Sequence, residues 1–271
     1  MQNRPQSKKD ILHVRLLGVP DFSWGHGGTV ALQERRARAL LAYLALHPGV
    51  HLSRDRLAAL FWPDATDSAA RASLRQALSV IRKSLGEEAD RVISASRDTV
   101  AIQQDAVTTD AGRIMSLSQT QRGLTIEDIP TESTFLEGLG GFSTDFDNWC
   151  NTEGERWLVL RLGLLEELAD RAEAECRTGE AARLLSGALA LDPLNEVFHR
   201  RLMSIYATQG RTTEALRMFK RLEVLLSTEL DVRPERATLD LVRAIRARRQ
   251  SRTLSVASGA ADADRKAATE S

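Results

Sequence analysis

FWPDATDSAARASLRQALSVIRKSL, residues 61–85, decides the fold because its two faces have opposite chemistry at the helical period. One face is apolar and has the spacing of a helix that packs on a core, with Ala70, Leu74, Ala77, Leu78, Ile81 and Leu85. The opposite face is polar and cationic, with Ser68, Arg71, Arg75, Gln76, Ser79, Arg82 and Lys83. From Arg71 to Lys83 there are four basic residues and no acidic residue.

A helix face of cations and short hydrogen-bonding groups suits a polyanion whose base edges must also be read. The stretch therefore predicts a DNA-recognition helix. The alternative is the solvated face of an ordinary amphipathic helix, since Lys and Arg are common on protein surfaces. The sequence on either side of the stretch favours the first interpretation.

Two further helices are predicted upstream. Glu34–His47 has apolar residues at helical spacing and ends at Pro48 and Gly49, which stop a helix. Ser53–Phe61 is a second, short helix, for which Ser53 is the expected N-cap. The proline that follows ends this helix, and the third helix is capped by one of two residues, Asp64 or Thr66.

Strand-like segments flank the three predicted helices. Ile11–Leu17 and Thr29–Leu32 precede them, and Arg91–Ala95 and Thr99–Gln103 follow them on either side of Ser96-Arg97-Asp98, which suits a short hairpin. Strands, three helices and a hairpin in this order predict an α+β winged helix-turn-helix.

The predicted DNA-binding residues are the polar face of the third helix and the tip of the hairpin. Arg75 and Gln76 project from the middle of the face and are expected near base edges, whereas Arg71 and Lys83 are expected to contact phosphates. Arg97, at the hairpin tip, is expected to contact the sugar-phosphate backbone as part of a wing. The whole predicted set is Ser68, Arg71, Arg75, Gln76, Ser79, Arg82, Lys83 and Arg97.

The second half of the chain contains a helical repeat. With Pro193 aligned to the last proline of a tetratricopeptide unit, the packing positions are Leu165, Leu168, Ala169, Ala172, Ala181, Leu185 and Ala188. A step of 34 residues takes three of them to equivalent residues, Ala172 to Tyr206, Ala181 to Ala215 and Leu185 to Phe219. Small residues at the close crossing and large ones in the groove favour stacked helix pairs over a generic bundle.

The turns and ends of this repeat are also predicted. Gly179 and Gly210 are expected at the turns between paired helices, and Arg233-Pro234-Glu235 starts a last helix that caps the stack. Helices between Asp110 and Trp149 are expected to complete it, because about three units are needed for a stable solenoid. The predicted fold class is thus mainly α, with a winged helix-turn-helix followed by an all-α tetratricopeptide-like domain.

Three motifs of the first half, LLAYLALHPG, LSRDRLAALFWPD and ARASLRQALSVIRKSLG, resemble the DNA-binding domain of Streptomyces antibiotic regulatory proteins. That domain is similar to the effector domain of OmpR- and PhoB-type response regulators, and the resemblance runs roughly from Ile11 to Gln104. In the second half, several segments resemble a bacterial transcriptional activator domain, namely Thr109–Ala111, Phe135–Gly138, Phe146–Trp149, Leu191–Leu194 and Tyr206–Lys220. Two features depart from the pattern: Asp231 stands where the family often has Gly, and the Gly25–Gly28 loop is longer.

The resemblance implies an activator that binds direct repeats near promoters as two protomers. It also implies recruitment of RNA polymerase to pathway genes, often those of secondary metabolism. Two other functions stay open. The helical repeat can be a protein-interaction scaffold whose basic helix is only surface, or the chain can be the regulatory front end of a larger signalling system.

Charge and composition agree with two domains. The 271 residues carry no net charge, but residues 1–107 hold 15 basic and 11 acidic residues and the remainder holds 22 and 26. The half with the predicted recognition helix is therefore the basic half. The predicted divisions are 1–10 as a flexible N-terminus, 11–107 as the winged helix-turn-helix, 108–250 as the activator domain and 251–271 as a disordered tail.

Neither an enzyme nor a membrane protein is expected. The five histidines are scattered, the glycine-rich runs lack the Lys-Ser/Thr of a phosphate loop, and no metal-ligand or nucleophile motif occurs, so no cofactor or metal is predicted. The polar N-terminus has no apolar signal segment, and no stretch is apolar enough to span a bilayer. Two cysteines, Cys150 and Cys176, make no disulfide framework, which favours a cytoplasmic protein.

Overall fold

A computed structural model describes residues 10–120, 124–131 and 134–250. The predictions for the N-terminal segment and for the tail at 251–271 fall outside these residues, except at residue 10. The chain divides into two compact units, Met1–Arg161 and Leu162–Ser271. The first unit is mixed α and β and the second is helical, so the predicted fold class is confirmed.

The first unit has two small sheets. In one, β1 (Leu12–Arg15) lies between antiparallel β2 (Asp21–Trp24) and parallel β6 (Val107–Thr109). In the other, β5 (Thr99–Ile102) lies between β3 (Leu52–Ser53) and β4 (Ile93–Ala95), and both pairings are antiparallel. The hairpin of β4 and β5 is the predicted wing.

The predicted strand Thr29–Leu32 is wrong. The partner of β1 is Asp21–Trp24, and Thr29 makes only an isolated bridge to Ser23. The chain reverses in the glycine loop, where Gly27 has φ 99° and the Trp24 amide donates to the Gly28 carbonyl. The residues after this turn bury Val30 and Leu32 without forming a strand.

The three predicted helices are confirmed as α1 (Arg35–Ala45), α2 (Arg54–Phe61) and α3 (Asp67–Leu85). A short helix that was not predicted, α4 (Ala89–Val92), includes the first two residues of the predicted strand Arg91–Ala95, so the strand starts only at Ile93. Ser53 caps α2, since its hydroxyl accepts from the Arg56 amide at 3.5 Å. Thr66 is the N-cap of α3 but makes no side-chain cap bond. All six residues of the predicted apolar stripe are buried, so α3 docks on the core as expected.

Residues after 107 also belong to the first unit, so the prediction that helices between Asp110 and Trp149 complete the helical repeat is wrong. They form α5 (Asp110–Thr120) and the first half of α6 (Thr144–Ala174). The Asp110 carboxylate accepts from the Leu16 amide at 2.9 Å and from the Leu17 amide at 3.0 Å. The compact unit therefore ends at Arg161, well after the boundary predicted at residue 107, because later residues supply part of its core.

An aromatic cluster joins α6 to the helix-turn-helix. The Phe146 ring lies 4.9 Å from the Phe61 ring of α2, and the Trp149 ring lies 4.5 Å from the Tyr43 ring of α1. Phe61 and Phe146 have no exposed surface. Burial of such rings is among the largest single contributions to a small core.

The second unit consists of paired helices in the predicted register. α7 (Thr178–Leu191), α8 (Glu196–Thr208) and α9 (Thr212–Leu230) follow α6, and residues 236–250 are helical. Ala181 and Ala215 are fully buried, as close helix crossings require. The turns also repeat, because the Arg177 amide donates to the Ala172 carbonyl and the Arg211 amide donates to the Tyr206 carbonyl.

The predicted role of Gly179 is wrong, whereas Gly210 does lie in a turn. Gly179 is the second residue of α7. The left-handed residue of the earlier turn is Cys176, with φ 58°, one repeat before Gly210, with φ 78°. Asp231 adopts the left-handed conformation after α9, with φ 53°, in the place where the family often has Gly. Residues other than glycine can adopt the left-handed conformation at an energetic cost. The position of a glycine therefore did not identify the turn before α7.

Candidate nucleic-acid interface

The polar face of α3 is available to a ligand. Ser68, Arg71, Arg75, Gln76, Ser79 and Lys83 are exposed, whereas Arg82 is half-buried. Among the described residues, four of them make no side-chain hydrogen bond or ion pair within the chain, namely Arg75, Gln76, Ser79 and Lys83. This face thus offers hydrogen-bonding groups and two cations that have no partner within residues 10–120, 124–131 and 134–250.

Arg82 differs from the other predicted site residues. Its guanidinium donates to the Asp90 carboxylate at 2.6 Å and to the Ile93 carbonyl at 3.2 Å. These bonds tie the end of α3 to the start of β4, at the base of the wing. The Arg82 guanidinium is therefore already bonded within the protein, at the end of α3 nearest the wing.

The wing tip is a tight turn held by short hydrogen bonds. The Ser96 hydroxyl accepts from the amides of Asp98 and Thr99, at 3.2 and 3.0 Å. Arg54, the first residue of α2, donates from Nε to the Ser96 carbonyl and from its amide to the Asp98 carbonyl, both at 2.9 Å. Arg97 is exposed at the tip and has no partner in the described part of the chain.

A groove of about 730 Å³ lies between the start of α2, the first half of α3 and the wing tip. Four arginines line it, together with two aspartates and three other residues: Arg54, Arg71, Arg75, Arg97, Asp55, Asp98, Ser53, Leu74 and Ser96. The structure thus places Arg71, Arg75 and Arg97 of the predicted set around one groove. The remaining predicted residues, Ser68, Gln76, Ser79, Arg82 and Lys83, do not line it.

The groove also contains an ion pair that was not predicted from the sequence. Arg71 donates from Nε to Asp55 Oδ1 at 2.8 Å and from one Nη to Asp55 Oδ2 at 3.0 Å. The hydrogen bond to Asp55 raises the pKa of Arg71 above its ordinary value. The two residues are 16 positions apart on different helices, so no local spacing in the sequence signals the pair.

Other reactive groups do not form a site in the described residues. No cluster of three His, Cys, Asp or Glu side chains that could hold a metal was found among them. Cys150 and Cys176 are free thiols, and burial raises the pKa of the Cys150 thiol to about 12. No helix within the ranges that the structure covers is long and apolar enough to cross a membrane.

These features define a class of protein: a winged helix-turn-helix with an exposed cationic third helix, in a chain that continues into paired helices. Comparison with known families agrees. Residues 28–99 match the family described as transcriptional regulatory protein, C terminal, and residues 133–246 match the bacterial transcriptional activator domain.

Two known regulatory proteins are similar to this chain. The chain is 29% identical over 243 residues to the regulatory protein AfsR of Streptomyces griseus, and 28% identical over 253 residues to AfsR of Streptomyces coelicolor. The matches cover 85% and 86% of this chain but 24% of each relative, so the chain spans about a quarter of their length. The two family matches, in this order, and the similarity to AfsR support a transcriptional regulator of the Streptomyces antibiotic regulatory protein type.

A solved structure supports the fold. The chain resembles Mycobacterium tuberculosis EmbR, which was solved in complex with a low-affinity phosphopeptide. The TM-score is 0.62 at 20% identity, and the match covers 88% of this chain and 66% of that chain. At this identity the likeness concerns the fold alone.

Proposed function

We propose that this chain binds double-stranded DNA sequence-specifically and activates transcription. The observation that carries the proposal is the cationic face of α3, on which Arg75 and Lys83 are exposed and unpaired in the described residues, beside a wing that ends in Arg97. Such a helix fits the major groove, and a wing beside it reaches the neighbouring phosphates. Cations on this face would release counterions from DNA, which gives salt-dependent affinity.

The predicted residues take different parts in this proposal. Arg75 and Gln76 lie in the middle of the exposed face and read base edges, because Arg suits guanine and Gln suits adenine. Lys83 contacts phosphates, and Ser68 and Ser79 contact the backbone or nearby bases. Arg82 contributes least to DNA binding, since Asp90 and the Ile93 carbonyl already hold its guanidinium.

Loss of the two base-reading side chains should relax specificity. Arg75→Ala and Gln76→Ala are each compared with the parent on a duplex that the parent selects from a random pool, called here the selected duplex. Each should lose about 1–3 kcal/mol of preference for the selected duplex over unrelated DNA. Lys83→Ala is the control and should weaken all duplexes alike. If both variants keep the parent's preference, the role given to α3 is wrong.

Loss of the wing cation should change the salt dependence instead. In Arg97→Ala, the slope of log K against log salt on the selected duplex should fall by about one unit, because one phosphate contact is gone. The preference for the selected duplex over unrelated DNA should stay as in the parent. Arg56→Ala, an exposed arginine of α2 outside the groove, serves as control. A slope in Arg97→Ala equal to that of the parent would exclude the contact.

Two protomers on direct repeats are also part of the proposal, since one winged helix reads few base pairs. Half-sites about 10–10.5 base pairs apart put both protomers on one side of the duplex. Insertion of half a helical turn between them should abolish tight binding, whereas insertion of a full turn should restore much of it. Unchanged affinity for both inserts would mean that the protomers bind independently.

The helical domain is the part that we assign to activation, through contacts with RNA polymerase or a neighbouring protomer. Residues after 107 carry more acidic than basic residues, so they are poorly suited to wrap DNA. We propose no catalytic activity for the chain, and its place of action is the cytoplasm, where it meets DNA.

A second candidate is a regulatory front end of a longer signalling protein. The observation in its favour is the length of the AfsR relatives, of which the match covers 24%. Reconstituted transcription with this chain alone separates the two, because only an autonomous activator stimulates the promoter without further domains.

A further inference from the structure

We propose that Asp55 positions Arg71 to read a guanine in the major groove. The inference rests on the DNA-binding function proposed above and gives that function a positioning residue on α2. It also changes the part of Arg71, which the sequence predicted as a phosphate contact.

The geometry of the pair leaves the reading edge of Arg71 open. Asp55 bonds the side edge of the guanidinium, which is formed by Nε and one Nη. The end edge, with one hydrogen on each Nη, has no protein acceptor in the described part of the chain. Two parallel N–H groups on this edge match the O6 and N7 acceptors of guanine, the commonest specific contact of arginine with DNA.

Arg71 also lies where a recognition helix meets the bases. It is in the second turn of α3, which begins at Asp67. In helix-turn-helix proteins the N-terminal residues of the recognition helix contact base edges. Arg71 lines the same groove as Arg75 and Arg97. Base contact by Arg75 and backbone contact by Arg97 would bring DNA to this groove.

Fold stability alone gives little reason for the pair. The Arg71 and Asp55 side chains are 55% and 66% exposed, and solvent screens ion pairs so exposed, which therefore contribute little to stability. A carboxylate in a groove that faces DNA repels phosphates and lowers affinity. When Asp55 already orients the long Arg71 side chain, less conformational entropy is lost on binding. This favours a base contact, whose strength depends on the orientation of the guanidinium. A phosphate contact depends far less on orientation.

The test uses the full chain, the selected duplex and its single-base variants. Arg71→Lys keeps the charge but removes the planar guanidinium with its parallel N–H groups. Asp55→Asn removes the carboxylate that orients this guanidinium. The matched controls are Arg56→Lys on α2 and Asp64→Asn in the turn before α3, both exposed. Binding to unrelated DNA at low salt verifies that each variant is folded.

We expect one guanine per half-site at which the parent prefers G by about 5-fold to about 150-fold, the range for one bidentate contact. Arg71→Lys should reduce this preference to about twofold or less. Asp55→Asn should reduce it at the same position while it binds unrelated DNA as tightly as the parent or more tightly. The controls should keep every preference.

Two results would overturn the inference and leave DNA binding intact. In one, Asp55→Asn tightens binding to all duplexes by the same factor, so that Asp55 only neutralises charge. In the other, Arg71→Lys keeps all base preferences, which would mean that Arg71 contacts a phosphate and not a base. A parent chain with no preference for any duplex overturns the proposed function itself, and the inference with it.

Discussion

Phe146→Ala should destabilise the first unit by about 3–5 kcal/mol, although Phe146 lies in the segment that matches the activator domain. The ring has no exposed surface and packs against Phe61, Phe142 and Trp149. Removal of the Phe146 ring leaves a cavity beside α2, the helix that packs against α3. A loss of this size is a large part of the stability of an ordinary domain.

Hydrogen exchange of the α1 and α2 amides in the full chain measures this effect. In Phe146→Ala these amides should exchange faster by two to four powers of ten, the factor that about 3–5 kcal/mol gives. Val159→Ala is the matched control, because Val159 is on the same helix and 68% exposed. Parent-like protection of α1 and α2 in Phe146→Ala would show that the first unit does not depend on α6.

Ala215→Glu should unfold the paired helices of the second unit. Ala215 is fully buried in a cluster with Met203, Phe219, Val242 and Ile245. A glutamate there has neither room nor a polar partner, and an unpaired buried carboxylate costs several kcal/mol even after it takes up a proton. The cost should exceed that of most single substitutions.

Far-UV circular dichroism during thermal unfolding detects this loss. Ala215→Glu should lose helix signal at temperatures where the parent keeps it. Val224→Glu places the same charge on the same helix at a residue that is 55% exposed, and it should behave like the parent. If both variants melt like the parent, Ala215 is not at a close helix crossing.

Patterns within one helix or turn were predictable from the sequence. The apolar stripe of α3, the Ser53 cap and the wing hairpin all depend on residues a few positions apart, and the structure confirms each of them. The exposed face of α3 followed from the same periodicity. The 34-residue helical repeat was also predictable, because small buried residues recur at Ala181 and Ala215.

Contacts between distant residues were not predictable in the same way. The Asp110 carboxylate meets the Leu16 amide across 94 positions, and Phe146 meets Phe61 from a different segment of the chain. These contacts set the end of the first unit. The Asp55–Arg71 pair was missed because it joins two helices whose crossing no local pattern specifies. Cys176 was missed since a non-glycine residue takes the left-handed turn.

Selection of duplexes from a random DNA pool by the full chain tests the central claim most directly. The parent should enrich one motif, repeated at about 10–10.5 base pairs, and the double variant Arg75→Ala/Gln76→Ala should not enrich it. The same motif enriched equally by the double variant would contradict base reading by α3. A parent that enriches no motif at all would contradict sequence-specific binding.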